Sequence, residues 1–437
     1  MSPIPIILSE QIAPDIFILD NSQKKFLYSP RRGRFLEIKK DEGYKRIKHF
    51  YEKKDDTDIE DFLREIGFLS KLEEISAHRP LHYQPSNLTL SLTSNCNLRC
   101  KYCYAYAGSS KKDLSWAKIE KAIRLTVKNN QKLNKEKLKV VFHGGGEPFF
   151  RWGILQKATE LINDLWPGNK RFSIVTNATL ITDKRAKWLK ENNFHLSVSL
   201  DGPKDVHDQQ RVKANGEGSF DDCIQGITHL YKHNVHFGIR ATVTQYNLNR
   251  LKELILIAKA FDCNLKVEPL TITGRASEEM SGISFEDYYN SFNEAKAFAD
   301  DLGVSFASIY NHRIYTKTEF CSGNGNTFCL LPGGYISTCT RVTRIDDDLA
   351  DEFIIGKLDE QNSLQIDNIQ VRKLKLMTVS NFEQCKTCFA KWFCSGGCLH
   401  QRISNGGNMP EGHCKVMKAM LFDKLLEELE SKGKEVR

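Results

Sequence analysis

From about residue 86 the apolar positions fall into a repeating rhythm: a short apolar run, a turn, then a longer stretch with apolar residues at helical spacing. The runs at 87–94, 137–142, 172–176, 194–200, 235–243 and 263–268 read as strands. Helices are expected near 115–132, 151–165, 182–192, 219–233, 247–261 and 285–302. The last has a legible start, because Ser284 can cap with Asp287 three residues on, and Gly303 can end it. Six strand-helix units predict a parallel sheet with helices outside, either a curved partial barrel or an open sheet. Residues 1–85 read as a separate small domain with strand-like FILD and KKFLYSP segments and a charged helix near 57–66. Past residue 305 the rhythm breaks into glycine- and cysteine-rich sequence, until a final helix near 415–431 with Met417, Met420, Leu421, Leu425 and Leu429 on one face.

Composition narrows this picture. With 437 residues, 40% of them hydrophobic, the chain can bury a large core and is expected to hold two or three domains. No run of 18 apolar residues occurs and the N-terminus lacks the pattern of a secretion signal, so a cytoplasmic protein without membrane spans is expected. In that compartment 13 cysteines are poorly explained by disulfides and better by metal or cluster ligation. The net charge of +8 is spread over patches such as Arg31, Arg32 and Arg34 or Lys111 and Lys112, without interleaved aromatics, so no nucleic-acid partner is expected.

Cys96, Cys100 and Cys103 follow the first predicted strand in LTSNCNLRCKYCYA, close enough for one loop to wrap a single inorganic object. Three thiolates leave one corner of a [4Fe-4S] cube without a protein ligand, whereas an electron-transfer cluster usually takes four. A structural zinc site would want a fourth ligand, for which His143 is the nearest candidate. This C-x-x-x-C-x-x-C loop, with an aromatic at Tyr102, resembles the signature of radical S-adenosylmethionine (radical SAM) enzymes. The resemblance implies that the cofactor's methionyl amine and carboxylate chelate the fourth iron, and that an electron from the cluster cleaves the sulfonium to a 5'-deoxyadenosyl radical.

Further segments at the C-terminal ends of predicted strands are similar to that family, where a parallel sheet places ligand sites. The run Gly144, Gly145, Gly146, Glu147 resembles its glycine-rich motif, which implies that this backbone holds the cofactor's amino group. Asn177 ends the third strand. By the same resemblance Ser199 and Arg211 would reach the ribose and carboxylate, and Leu270 the adenine. A strand end followed by a turn is the alternative reading of Ser199 and Asp201.

Between 321 and 414 lie Cys321, Cys329, Cys339, Cys385, Cys388, Cys394, Cys398 and Cys414, a number that suits two four-thiolate centres. The spacing C-x2-C-x5-C-x3-C at 385–398 would by itself also suit a zinc ribbon. With Gly334 ahead of Cys339 and Cys414 closing the set, the region resembles the SPASM extension of radical enzymes that modify peptides and proteins. The resemblance implies one auxiliary cluster on Cys321, Cys329, Cys339 and Cys398, and another on Cys385, Cys388, Cys394 and Cys414. The chain as a whole then reads as α/β, a partial (β/α)6 TIM-like barrel (86–305) between a small N-terminal domain (1–85) and a loop-rich C-terminal SPASM iron-sulfur domain (306–437). Cys223 and Cys263 are left as ordinary buried thiols.

S-adenosylmethionine and three [4Fe-4S] clusters are therefore the expected cofactors, with an electron donor such as flavodoxin or ferredoxin and a precursor peptide or protein as partners. A substrate radical closes a ring or double bond only if a second electron leaves, which auxiliary clusters can accept. Sulfatase maturases, which form formylglycine from Cys or Ser, carry an acidic residue directly after the cysteine of the G-x4-C motif; here it is Thr340. Together with the extra N-terminal domain this favours a peptide maturase that forms a crosslink (C–C, C–O or thioether). A sulfatase maturase is the alternative, and a zinc-stabilised binding scaffold or an inert peptide carrier are the non-catalytic ones.

Overall fold

The computed structural model describes residues 3–72 and 81–433. An N-terminal antiparallel sheet contains, in sequential order, β1 (Leu8–Ala13), β2 (Ile16–Asp20), β3 (Lys25–Ser29) and β4 (Arg34–Ile38). The predicted strands of the repeating region are β5 (Asn87–Leu90), β6 (Lys137–Phe142), β7 (Asn169–Thr176), β8 (Phe194–Ser199), β9 (His236–Val243) and β10 (Asn264–Pro269), each parallel to the next. Beyond β10 the edge is extended by β11 (Phe306–Ala307). On the other side of β5 lie β12 (Thr327–Leu330), β13 (Tyr335–Ser337), β14 (Ile354–Leu358) and β15 (Leu364–Ile366). The result is an 11-stranded, mostly parallel sheet with two free edges, so the α/β class holds and no closed barrel forms.

Two expectations change. The stretch beyond 305 is not wholly irregular, because five short strands from it join the sheet; runs of two to five residues are too short to display a period. The first strand ends at Leu90 rather than residue 94, because the amide of Leu114 donates to Leu92 O at 3.0 Å and that of Ser94 to Lys112 O at 2.8 Å, which turns the chain into a loop. The N-terminal region also has a helix at Asp41–Lys53 before the expected one, seen at Thr57–Glu65. The Ser284 cap is present, its hydroxyl accepting from the Asp287 amide at 3.0 Å.

Parallel strands in unbroken sequential order, joined by crossovers of one hand, place all their connecting helices on one face. Residue burial follows this. Leu138, Val140 and Phe142, Phe172 and Ile174, Phe194, Leu196 and Val198, Ile239, Ala241 and Val243, and Leu265 and Val267 are buried beneath those helices. The other face carries mostly polar residues at the alternate positions, with Val141, Val175 and Gly238 among them.

By compactness the chain forms two units, one of residues 1–79, 310–321 and 376–437 and one of 80–309 and 322–375. This grouping differs from three consecutive blocks for a packing reason: in the first unit Phe26 meets Phe422 edge-on at 5.2 Å and Tyr28 meets Phe389 at 6.5 Å. That unit also has its own apolar core of Ile16, Ile18, Leu27, Ile47, Phe50, Ile59, Leu63 and Phe68. Among the described residues no helix is long and apolar enough to cross a membrane.

Candidate functional site

In the larger unit the loop after β5 carries Cys96, Cys100 and Cys103. It has almost no regular hydrogen bonding of its own, so its carbonyls must find other donors. The Arg99 guanidinium donates to Cys96 O (2.8 Å), Leu98 O (2.9 Å) and Gly108 O (2.9 Å). Arg275, only 8% exposed, donates to Cys100 O (2.9 Å) and Ala107 O (2.7 Å). The loop amides of Arg99 and Lys101 donate outward to Val212 O (2.7 Å) and Gln210 O (3.0 Å). Backbone cross-bracing thus fixes three thiols close together: burial first, and then the neighbouring cysteines, raise the pKa of Cys96 and Cys100.

The glycine-rich segment after β6 lies directly on this loop. The Ser91 hydroxyl donates to Gly144 O at 2.8 Å, and the amides of Gly146 and Glu147 donate to Thr93 O (2.8 Å) and Asn95 O (2.9 Å). At Gly146 a Cβ would fall 1.9 Å from Asn95 O, so only glycine permits this approach. Glu147 is buried and accepts from the Thr176 hydroxyl (2.7 Å) and from the Asn177 amide (2.8 Å). Burial raises its pKa to about 7 despite those donors. The Asn177 amide group donates to Asn97 Oδ1 at 3.0 Å and reaches Cys96 Sγ at 3.9 Å, tying the end of β7 to the cysteine loop.

On the other flank Asp201, beyond β8, is fully buried and accepts from Arg211 Nε at 2.8 Å, from the Thr242 amide at 3.1 Å and from the Tyr102 hydroxyl. Arg211 also lies 5.1 Å over the Tyr102 ring, and its charge faces Cys100. Ser199 ends β8 half-buried, in register with Arg240. The Leu270 amide donates to Val243 O at 2.9 Å, which places that residue at the ends of β9 and β10. Tyr104 points its hydroxyl to within 3.3 Å of His143 Nε2 and stands in the electrostatic reach of Cys103, Cys329, Arg341 and Cys339. Nearby, Thr343 Oγ1 and Arg341 Nη1 are buried without a hydrogen-bond partner among the described residues.

Within the smaller unit, Cys385, Cys388, Cys394 and Cys414 gather so closely that each is a charge neighbour of others in the set. Arg402 donates to Cys385 Sγ at 3.5 Å and to Gly396 O at 2.7 Å. Cys329 and Cys339 meet in the larger unit, while Cys321 and Cys398 belong to the smaller one.

The donors fit iron-sulfur clusters. Burial pushes Cys100 up to about 11, Cys414 up to about 11 and Cys329 up to about 12, so as bare thiolates they would be costly, and a bound cation inverts that preference. Among the described residues no three His, Cys, Asp or Glu side chains close on a point suited to one metal ion. In a cube each thiolate binds a different iron, which takes more widely spaced sulfurs.

The model of the radical SAM superfamily matches residues 90–257, from the end of β5 into the helix before β10. An uncharacterized protein of Methanocaldococcus jannaschii is 34% identical over 287 residues, 65% of this chain and 92% of its own. The cysteine-type anaerobic sulfatase-maturating enzyme of Clostridium novyi is 28% identical over 374 residues, 79% of this chain and 96% of its own.

The chain belongs to the radical SAM superfamily.

Two solved radical SAM maturases share the fold. Native anSMEcpe with bound AdoMet and Cp18Cys peptide superposes with a TM-score of 0.62 at 20% identity, covering 79% of this chain and 99% of that one. Streptococcus suis SuiB bound to precursor peptide SuiA gives 0.53 at 15% identity, covering 91% and 97%. Sequence reasoning passed over Arg99, Arg275 and Asn97, which hold this radical SAM loop in place. Arg99 lies inside the cysteine motif, but Arg275 is 172 positions beyond Cys103 with no pattern around it, so its role is visible only in three dimensions.

Proposed function

We propose that this chain is a radical SAM maturase that removes hydrogen from a side chain of a peptide or protein and oxidises a cysteine or serine there to formylglycine. The observation that carries this reading is the match to nearly the full length of a cysteine-type sulfatase-maturating enzyme. Cys96, Cys100 and Cys103 hold the first [4Fe-4S] cluster, and Tyr102, Gly144, Gly145, Gly146, Glu147, Asn177, Ser199, Arg211 and Leu270 surround S-adenosylmethionine. Cys385, Cys388, Cys394 and Cys414 hold one auxiliary cluster; Cys321, Cys329, Cys339 and Cys398 hold the other. Bound there, these groups supply a 5'-deoxyadenosyl radical and an acceptor for the second electron.

The chain's own residues orient and enclose. Arg275 and Arg99 keep the cysteine loop from relaxing, Gly146 admits the close approach of two backbones, and Arg211, held by Asp201, sets positive charge beside Cys100. In the substrate a Cβ–H bond would break, the hydrogen atom ending on the 5' carbon to give deoxyadenosine. Loss of one proton and one electron would then leave, from cysteine, a carbon–sulfur double bond that water converts to the aldehyde with release of hydrogen sulfide and, from serine, the aldehyde directly. A flavodoxin- or ferredoxin-type donor supplies the priming electron. Residues 1–85, 86–305 and 306–437 would serve as substrate-recognition, radical and auxiliary-cluster modules.

Crosslinking of a precursor peptide is the second reading. Two features favour it: Thr340 stands where the sulfatase branch has an acid, and the SuiB structure covers 91% of this chain against 79% for the sulfatase-maturase structure. Anaerobically reconstituted protein with dithionite, S-adenosylmethionine and cysteine- or serine-containing peptides decides between them. Formylglycine is captured by a hydrazide, whereas a crosslink loses a hydrogen pair and leaves no carbonyl. Failure to release deoxyadenosine at all would sink both.

A further inference from the structure

The face of the parallel sheet turned away from the helices is unlike the interior of a packed barrel. Along β6 to β10 its side chains include Lys137 and Lys139, Arg171, His195, His236, Arg240 and Lys266, and all but the half-buried His195 are exposed. Register places them together: Lys139 opposite Arg171, His195 opposite His236, and Arg240 between Ser199 and Lys266. The two imidazoles stack at 5.2 Å, and His195 is held below its ordinary pKa first by burial, then by the charges of Arg171, His236 and Lys137, which marks how closely these groups crowd. The charge continues toward the cysteine loop, since Arg240 acts on His143, the partner of the Tyr104 hydroxyl.

Crowded cations normally find acids. On this face of β5 to β10 the only carboxylate is Glu268, already engaged by Lys266 at 3.0 Å and by the Ile309 amide at 3.1 Å. The side chains of Lys137, Lys139, Arg171 and Arg240 form no ion pair among the described residues. Like charges gathered on one face add their fields at whatever approaches it. No Phe, Tyr or Trp lies on it to stack a nucleobase, which disfavours a nucleic-acid strand.

We infer that this face binds an acidic stretch of the substrate peptide, so that glutamate or aspartate residues flanking the modified position are what the enzyme selects. The inference rests on the maturase reading and names its substrate class. Repulsion among unpaired cations is relieved when the peptide's carboxylates arrive, and the extended chain then passes Arg240 on its way to Tyr104 and the cysteine loop.

The test uses the full, reconstituted chain and three fluorescein-labelled probes: a cysteine peptide flanked by glutamates, the same peptide with glutamines, and a single-stranded DNA oligonucleotide of equal charge. Anisotropy should show the glutamate peptide bound at least ~10-fold more tightly than the glutamine peptide, with the gap closing as salt rises. Combining Lys139→Glu with Arg171→Glu should erase or invert the preference, while Lys111→Glu with Lys112→Glu should retain it; Lys139→Gln with Arg171→Gln replaces the reversal if that variant does not fold. Equal binding of the two peptides, or a preference that survives the reversal, overturns the inference. So does DNA that displaces the glutamate peptide as well as unlabelled peptide does. Deoxyadenosine release by the unaltered chain without peptide reports separately on the maturase reading.

Discussion

The two cysteine sets that the structure assembles within single units are held in different ways. Cys96, Cys100 and Cys103 sit on a loop whose carbonyls are gripped by two arginines and whose flank is closed by a glycine-rich segment and Glu147. Cys385, Cys388, Cys394 and Cys414 come from a 3-10 turn, the loop after it, a short helix and the start of the last helix, with Arg402 beside Cys385. Three thiols braced in this way would leave one corner of a cube for an exchangeable ligand, whereas four would close a centre and suit it to passing electrons. On the proposed reading, the number of thiols and the bracing around them, rather than the residue type, would separate the two roles.

The largest effect that would break this comparison is expected from Cys100→Ala, which should reduce deoxyadenosine formation under dithionite to the uncatalysed background; retained cleavage would show that the loop is not the reactive centre. Cys388→Ala should lower product formation at least ~10-fold more than it lowers deoxyadenosine release, because on the proposed reading this centre takes the second electron and not the priming one. Equal loss of both would mean that the second set is structural.

Smaller effects sharpen it. Arg275→Ala strands two buried carbonyls, at a cost of about 3 kcal/mol in unfolding free energy, and should lower iron content at the first centre more than at the second. Gly146→Ala pushes a methyl into Asn95 O and should cost about 2 kcal/mol, with cofactor affinity reduced and the auxiliary centre's spectrum unchanged. Ser284→Ala removes the cap of the helix Phe285–Asp301, which carries no cysteine; about 1 kcal/mol is expected in a denaturant titration, with no change in deoxyadenosine yield. A change in yield there would show that the first centre responds to global stability rather than to its own bracing.

Sequence periodicity by itself determined β6 and the six repeat helices to within a few residues, because long amphipathic stretches repeat their burial pattern every turn. The cysteine spacings narrowed the first centre to a cluster or a zinc site, and the radical chemistry expected there came from the resemblance of the whole loop to the radical SAM signature. Tertiary structure alone decided what two- to five-residue segments do. Thr327–Leu330 becomes a parallel neighbour of the first strand, and no local pattern announces it. It alone brought Arg275 under Cys100 and packed Phe422 on Phe26, because such contacts join residues far apart in the chain. The unpaired cations of the open face belong to the same class: each is an ordinary surface residue in sequence, and strand register puts them side by side.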